Sequence, residues 1–188
     1  MQVINAKNAK DCERQVIQAF ATGKLVAYPT DTVYGLGCDA TNETAVERVY
    51  WAKQREKKPV SVIAPSIQWI KENCECPNDN PEKYLPGPYT LVLPLKNKDC
   101  VSEAVLQGRE TLGVRIPRHW ISSVAKDFGK PVVTTSLNLS GKPTITCLEE
   151  LPESIEKHID LFVSEGRLEG RPSTIVLFSE GKTTEVRR

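Results

Sequence analysis

The chain has 188 residues, with 25 Lys plus Arg against 24 Asp plus Glu and a formal net charge of +1. That length suits one α/β domain, residues 1–188, whose core needs no disulfide or structural metal, and the balanced charge excludes a general affinity for polyanions, so any anion site must be a local cluster. No apolar run approaches the roughly 20 residues of a membrane span, and six cysteines without a secretory leader read as the reduced thiols of a cytoplasmic protein.

In chain order, Asn8 is placed to cap a helix over 9–22, with Val16, Ile17 and Phe20 on one face and Gly23 past its end. Leu25-Val-Ala-Tyr28 reads as a strand halted by Pro29, followed by a loop over 30–37. A helix over 43–54 turns Ala45, Val46, Val49 and Tyr50 inward and runs into a basic segment closed by Pro59. A strand over 60–64 and a short helix over 67–73 precede a Pro- and Asn-rich stretch from Cys74 to Pro88, the natural candidate for a lid or surface insertion. Strands are expected over 89–93, 112–116, 131–135, 161–163 and 174–178, with a helix over 120–128 and a short one ending near Ile159. This irregular alternation predicts an α/β fold built on an open, twisted, mixed parallel and antiparallel sheet with flanking helices.

Several segments carry polar chemistry. Lys53, Arg55, Lys57 and Lys58 put four cations within six residues at a helix end, which suits either phosphates or a cationic face that complements the helix dipole. Thr30-Asp-Thr-Val-Tyr-Gly-Leu-Gly37 lacks the Gly-Lys-Ser/Thr ending of a phosphate loop and the dinucleotide fingerprint; it reads as a ligand loop rich in hydroxyls or as a tight turn. Ser136-Leu-Asn138 follows a strand and is either a ligand-binding or a capped turn, and Arg115 within an apolar strand calls for an anionic partner. Cys74-Glu-Cys76 has no second pair at zinc spacing, so no metal site is expected from the residues. No Ser-His-Asp order or catalytic carboxylate pair stands out, and His119 reads as a surface or partly packed residue rather than a base.

Tyr28-Pro-Thr-Asp-Thr-Val-Tyr-Gly-Leu-Gly37, Lys53-x-Arg55 with Lys58-Pro59, Pro86-Gly-Pro-Tyr-Thr90, Gly113-Val-Arg-Ile-Pro117, Ser136-x-Asn138 with Ser140-Gly-Lys-Pro143, and Ser173-Thr174 occur in that order. In this ordered set the chain resembles the YrdC-type threonylcarbamoyl-adenylate synthases, in their short single-domain form. The resemblance implies a concave basic cavity that takes L-threonine, bicarbonate or CO₂, and ATP with Mg²⁺. It assigns Lys53 and Arg55 as catalytic, Thr32, Arg115, Thr135 and Ser173 to substrate, and Arg55, Lys58, Thr111, Ser136, Leu137 (through its backbone) and Asn138 to nucleotide. The segment between Arg55 and Lys58 is one residue shorter than in many members, closer to the carbamoyl-transfer domain of hydrogenase maturation proteins.

The implied chemistry has the threonine amine capture CO₂ and the carbamate oxygen attack the α-phosphorus of ATP, expelling pyrophosphate. Such a reaction needs alignment and charge neutralisation rather than a protein nucleophile. The adenylate would pass to a downstream tRNA threonylcarbamoyl transferase for modification of adenosine 37. Two other readings stand beside this one: a module that seats double-stranded RNA or tRNA in a basic cavity, and a carbamoyl-transfer enzyme using carbamoyl phosphate.

Overall fold

A computed structural model describes residues 1–6, 9–54, 58–76, 81–179 and 182–187. Ten strands, β1 (Gln2–Asn5), β2 (Val26–Tyr28), β3 (Gly35–Gly37), β4 (Ser61–Ile63), β5 (Tyr89–Pro94), β6 (Thr111–Arg115), β7 (Val132–Ser136), β8 (Leu161–Ser164), β9 (Thr174–Ser179) and β10 (Lys182–Val186), form one sheet in the order β1-β8-β2-β3-β7-β4-β6-β5-β9-β10. Four pairs are parallel (β1 with β8, β2 with β8, β4 with β6, β5 with β9) and the other five antiparallel, as expected for a mixed sheet.

The helices are α1 (Ala9–Ala21), α2 (Glu43–Ala52), α3 (Ile67–Asn73), α4 (Glu103–Leu106), α5 (Ile121–Phe128) and α6 (Glu153–Glu156). Local chemistry accounts for their ends. Asn42 Oδ1 accepts the Ala45 N–H at 3.0 Å to start α2, Ser66 Oγ accepts the Trp69 N–H at 3.0 Å to start α3, and Gly129 at φ 72° stops α5 in the left-handed conformation. The cap expected from Asn8 lies outside the described residues.

The period-2 geometry of the strands sorts two cores. Ala27, Leu36, Val62, Leu91, Leu93, Leu112, Val114 and Val133 point to one face, which the buried sides of α2, α3 and α4 cover. Val26, Tyr28, Ile63, Val132, Leu161 and Val163 point to the other, where α1 (Cys12, Val16, Ala19, Phe20) and α5 (Ile121, Val124, Ala125) cover them. That second layer does not extend over the middle of β4, β6 and β5. There the sheet presents Thr134, Ser61, Gly113 and Thr90, aligned through the pairings of Ser61 with Thr134 and with Gly113. Small polar residues occur where no helix packs because there is no apolar partner for a larger side chain, and a hollow remains.

Three strands were not anticipated. β1 is almost wholly exposed, β3 is a Gly-Leu-Gly stretch, and β10 pairs with β9 at the sheet's edge. Part of the 74–88 stretch lies outside the described residues. The rest is packed: Cys74 bridges to Leu95, Leu85 is buried, and Tyr84 stacks edge-on to Tyr89 and Phe178. None of the six cysteines forms a disulfide, and no helix among the described residues is long and apolar enough to cross a membrane.

Candidate active site

The hollow is an open cleft in the face of the sheet, lined by residues from β3, β4, β5, β6 and β7 and by the segments next to them. Hydroxyl side chains dominate its lining, and Arg115 is the sole charged side chain lining it among the described residues. The concave shape expected from the resemblance is therefore present. Of the cations expected there, Arg115 lies in the wall and is paired with Asp31, Lys53 bonds the end of β7, and Arg55 lies outside the described residues.

Three segments build the substrate end. Thr30 Oγ1 accepts the N–H groups of Thr32 at 3.1 Å and Val33 at 3.2 Å, folding the loop after β2 back on itself. This brings Thr32 Oγ1 within 2.9 Å of Thr30 Oγ1 and 3.4 Å of both terminal nitrogens of Arg115. Arg115, at the end of β6, is 6% exposed, and its Nη2 donates to Asp31 Oδ1 at 2.6 Å. The other oxygen of Asp31 accepts the Arg118 N–H at 2.9 Å. The anion that Arg115 called for is thus internal, and it locks the guanidinium at the cleft edge in a charge-assisted contact. Opposite, Ser173 Oγ lies 2.8 Å from Thr90 Oγ1, so the residue before β9 is fixed on the floor. Thr32, Arg115, Thr135 and Ser173, predicted separately, all line this one cleft.

The second cluster gathers at the end of β7. Lys53, the C-cap of α2, is 2% exposed, and its ammonium donates to Ser136 O, to Asn138 O at 2.9 Å and to Asn138 Oδ1 at 2.9 Å. Ser136 Oγ donates to the same Asn138 Oδ1 at 2.7 Å, and Asn138 Nδ2 donates to Lys142 O at 2.6 Å. Lys53 and the Ser-x-Asn signature are therefore one structure in which a buried cation sits in a cage of turn oxygens. Lys53, expected on the phosphates, instead points into the turn. The Leu137 backbone, expected to contact nucleotide, donates its N–H to Tyr34 O at 2.9 Å and accepts from Ile145 N at 3.1 Å, and its side chain is buried. Ser136 keeps a place in the cleft wall.

Two further nucleotide candidates stand apart. Thr111 shares the open face of β6 with Gly113 and Arg115 but is exposed at the opposite end, roughly 13 Å from Arg115 at the rise of an extended strand. Lys58 is exposed next to the cleft-lining Pro59, and its carbonyl accepts the Tyr50 hydroxyl at 2.8 Å.

Sequence reasoning missed Asp31, Thr30, Thr90 and Tyr34. All four lie within the Tyr28–Gly37 and Pro86–Thr90 motifs, yet only the fold shows their partners. Tyr34 Oη accepts from Glu165 N at 3.0 Å and donates to Gly166 O at 2.7 Å, pinning a distant segment to the cleft, a contact without local signal. His119 is partly packed, as expected, with Nε2 3.1 Å from Glu165 Oε2.

The profile of the Sua5/YciO/YrdC family, described as "Telomere recombination", matches residues 18–188. A protein of Vibrio vulnificus named threonylcarbamoyl-AMP synthase is 34% identical over 158 residues, covering 80% of this chain and 84% of its own. Among solved structures, Sua5 of P. abyssi in complex with L-threonine superposes with a TM-score of 0.87 at 30% identity, over 99% of this chain and 56% of that longer protein. YciO of E. coli superposes with a TM-score of 0.84 at 26% identity, over 99% of this chain and 93% of its own.

Proposed function

The chain belongs to the Sua5/YciO/YrdC family, and from that premise we infer that it is a threonylcarbamoyl-AMP synthase, a nucleotidyltransferase that joins L-threonine, bicarbonate or CO₂, and ATP. The observation that carries this reading is the cleft itself: an ion-paired Arg115 beside Thr32 at one end and the caged Ser136–Asn138 turn at the other, with hydroxyls between and no nucleophile–base pair among the described residues.

The threonine amine adds to CO₂ and loses a proton, giving a carbamate. One carbamate oxygen then bonds to the α-phosphorus of ATP while the bond to the β,γ-pyrophosphate breaks. Arg115, fixed at the cleft by Asp31, holds the threonine carboxylate, and Thr32 and Ser173 orient the amino acid. Ser136 and Asn138 shape the wall for nucleotide, Arg55 and Lys58 neutralise phosphate charge, and Lys53 holds the turn that presents Ser136. Thr135 completes the wall.

Mg²⁺ enters with the nucleotide. No group of three or more His, Cys, Asp or Glu among the described residues could hold a metal, and the carboxylate of Asp31 is committed to Arg115. On this reading the ion would be held by the triphosphate oxygens and would neutralise their charge, and no protein ligand is assigned to it. The product, a mixed anhydride, needs an amine acceptor, which on this reading is adenosine 37 of tRNA, reached through a separate transferase. Direct binding of double-stranded RNA is not favoured, because a single charged side chain lines the described cleft, too few to match a phosphate backbone.

The test is pyrophosphate release from ATP by the purified chain with and without threonine and bicarbonate. Release that needs all three, together with a threonine-containing adenylate by mass spectrometry, is expected. Release indifferent to threonine would overturn the reading.

A further inference from the structure

The segment from Glu165 to Ser173 crosses from β8 to β9 along the cleft. At its start, the Glu165 carboxylate bridges two side chains: Oε2 lies 3.1 Å from His119 Nε2, and Oε1 accepts the Trp120 indole N–H at 2.5 Å. His119 Nδ1 is buried and has no hydrogen-bond partner among the described residues, so the contact to Glu165 is what orients that ring. Farther along, Leu168 N donates to Thr146 O at 2.8 Å, and Gly170 lies so close to the Thr32 backbone that any Cβ there would overlap the Thr32 carbonyl. The segment ends on Ser173, which lines the cleft.

The loop that Glu165 grips is the same one whose Arg118 N–H holds Asp31, and Asp31 in turn holds Arg115. Glu165 therefore joins three walls of the substrate end: the 118–120 loop, the Thr30–Thr32 turn beneath Gly170, and the strap that places Ser173. We propose that Glu165 is a positioning residue for the amino-acid substrate, clasping the 165–173 strap against His119 and Trp120 so that Ser173, Thr32 and Arg115 keep one spacing. This rests on the proposed synthase reading. Glu165 touches neither nucleotide turn nor reacting atoms; the Ser136–Asn138 turn is held separately by Lys53. Its loss is expected to weaken threonine rather than ATP.

The experiment compares wild type, Glu165→Ala and Glu165→Gln in the full chain by steady-state kinetics and by amide hydrogen exchange of residues 166–173. Removing a carboxylate that accepts two hydrogen bonds corresponds to about a tenfold effect. Glu165→Ala should raise the KM for threonine about tenfold, leave kcat and the KM for ATP within about twofold, and speed strap exchange, while Glu165→Gln, which still accepts from Trp120, recovers most of both. Unchanged strap exchange in a folded Glu165→Ala protein, or equal damage to kcat and both KM values, overturns the proposal. A wild-type chain without threonine-dependent turnover would instead refute the synthase reading, and the exchange comparison would still decide the clasp.

Discussion

Replacing Lys53 by Met keeps a similar side-chain length and volume and removes the cation from its cage. In the native protein three oxygens, Ser136 O, Asn138 O and Asn138 Oδ1, take the ammonium's hydrogens. Hydrogen bonds to a charged group contribute roughly 1.5–3 kcal/mol each. Against this stands the cost of burying an ammonium that is 2% exposed, several kcal/mol that the Met variant no longer bears. The difference, with carbonyls left unsatisfied in part, is a net loss of about 2–4 kcal/mol. For a chain of this length that lowers Tm by about 4–16 °C. Urea unfolding would measure the stability, and initial rates over a range of ATP would measure the functional effect. A higher KM for ATP, from a loosened Ser136–Asn138 turn, is expected alongside the lower stability. A Lys53→Met protein as stable as wild type but with kcat greatly reduced would refute the cage argument and return the ammonium to the phosphates.

Asp31→Ala leaves a buried guanidinium without its carboxylate. Breaking such a pair costs about 3–5 kcal/mol, so a marked fall in the denaturation midpoint and loss of threonine binding by calorimetry are expected. Gly37→Ala places a Cβ onto the Val133 carbonyl and 2.7 Å from the Tyr28 hydroxyl, contacts inside β3 that no rotamer relieves. About 3 kcal/mol of destabilisation should follow, read as a fall in Tm. Burial pushes the Cys74 thiol up to about 12 and the Cys100 thiol to about 11, above the ordinary value of 9.0. A raised folded pKa means the unfolded chain ionises first. The neutral-thiol stability is therefore whole below pH 9 and declines as pH rises through 11 to 12, and Cys74 should resist alkylation at pH 8 until the protein is unfolded. Rapid labelling of Cys74 in the native protein would contradict this.

Much of the architecture was legible because local rules act over a few residues. The helix over 67–73 agrees with α3, and α1, α2, α5 and most strands fall within two residues of their expected limits. β3 escaped notice because Gly-Leu-Gly has no strand propensity; it forms because only glycine lets the backbone approach Val133 and Tyr28 so closely. The 74–88 stretch, expected as a lid or surface insertion on grounds of length and composition, is tied in its described parts to β5 and the aromatic cluster, whereas the segment along the cleft is 165–173, which no composition marks.

By itself the sequence determined which residue types could meet an anionic substrate and where the elements fall, since hydrophobic period and turn chemistry are local properties. Whether those residues converge depended on strand order. Residues 32, 115, 135 and 173 share a cleft because β3, β7, β4, β6, β5 and β9 are neighbours in space while distant in the chain. The roles of Asp31, Lys53 and Glu165 were settled by partners on other elements, because a charged group's function follows from what surrounds it after burial, and that environment exists only in the folded molecule.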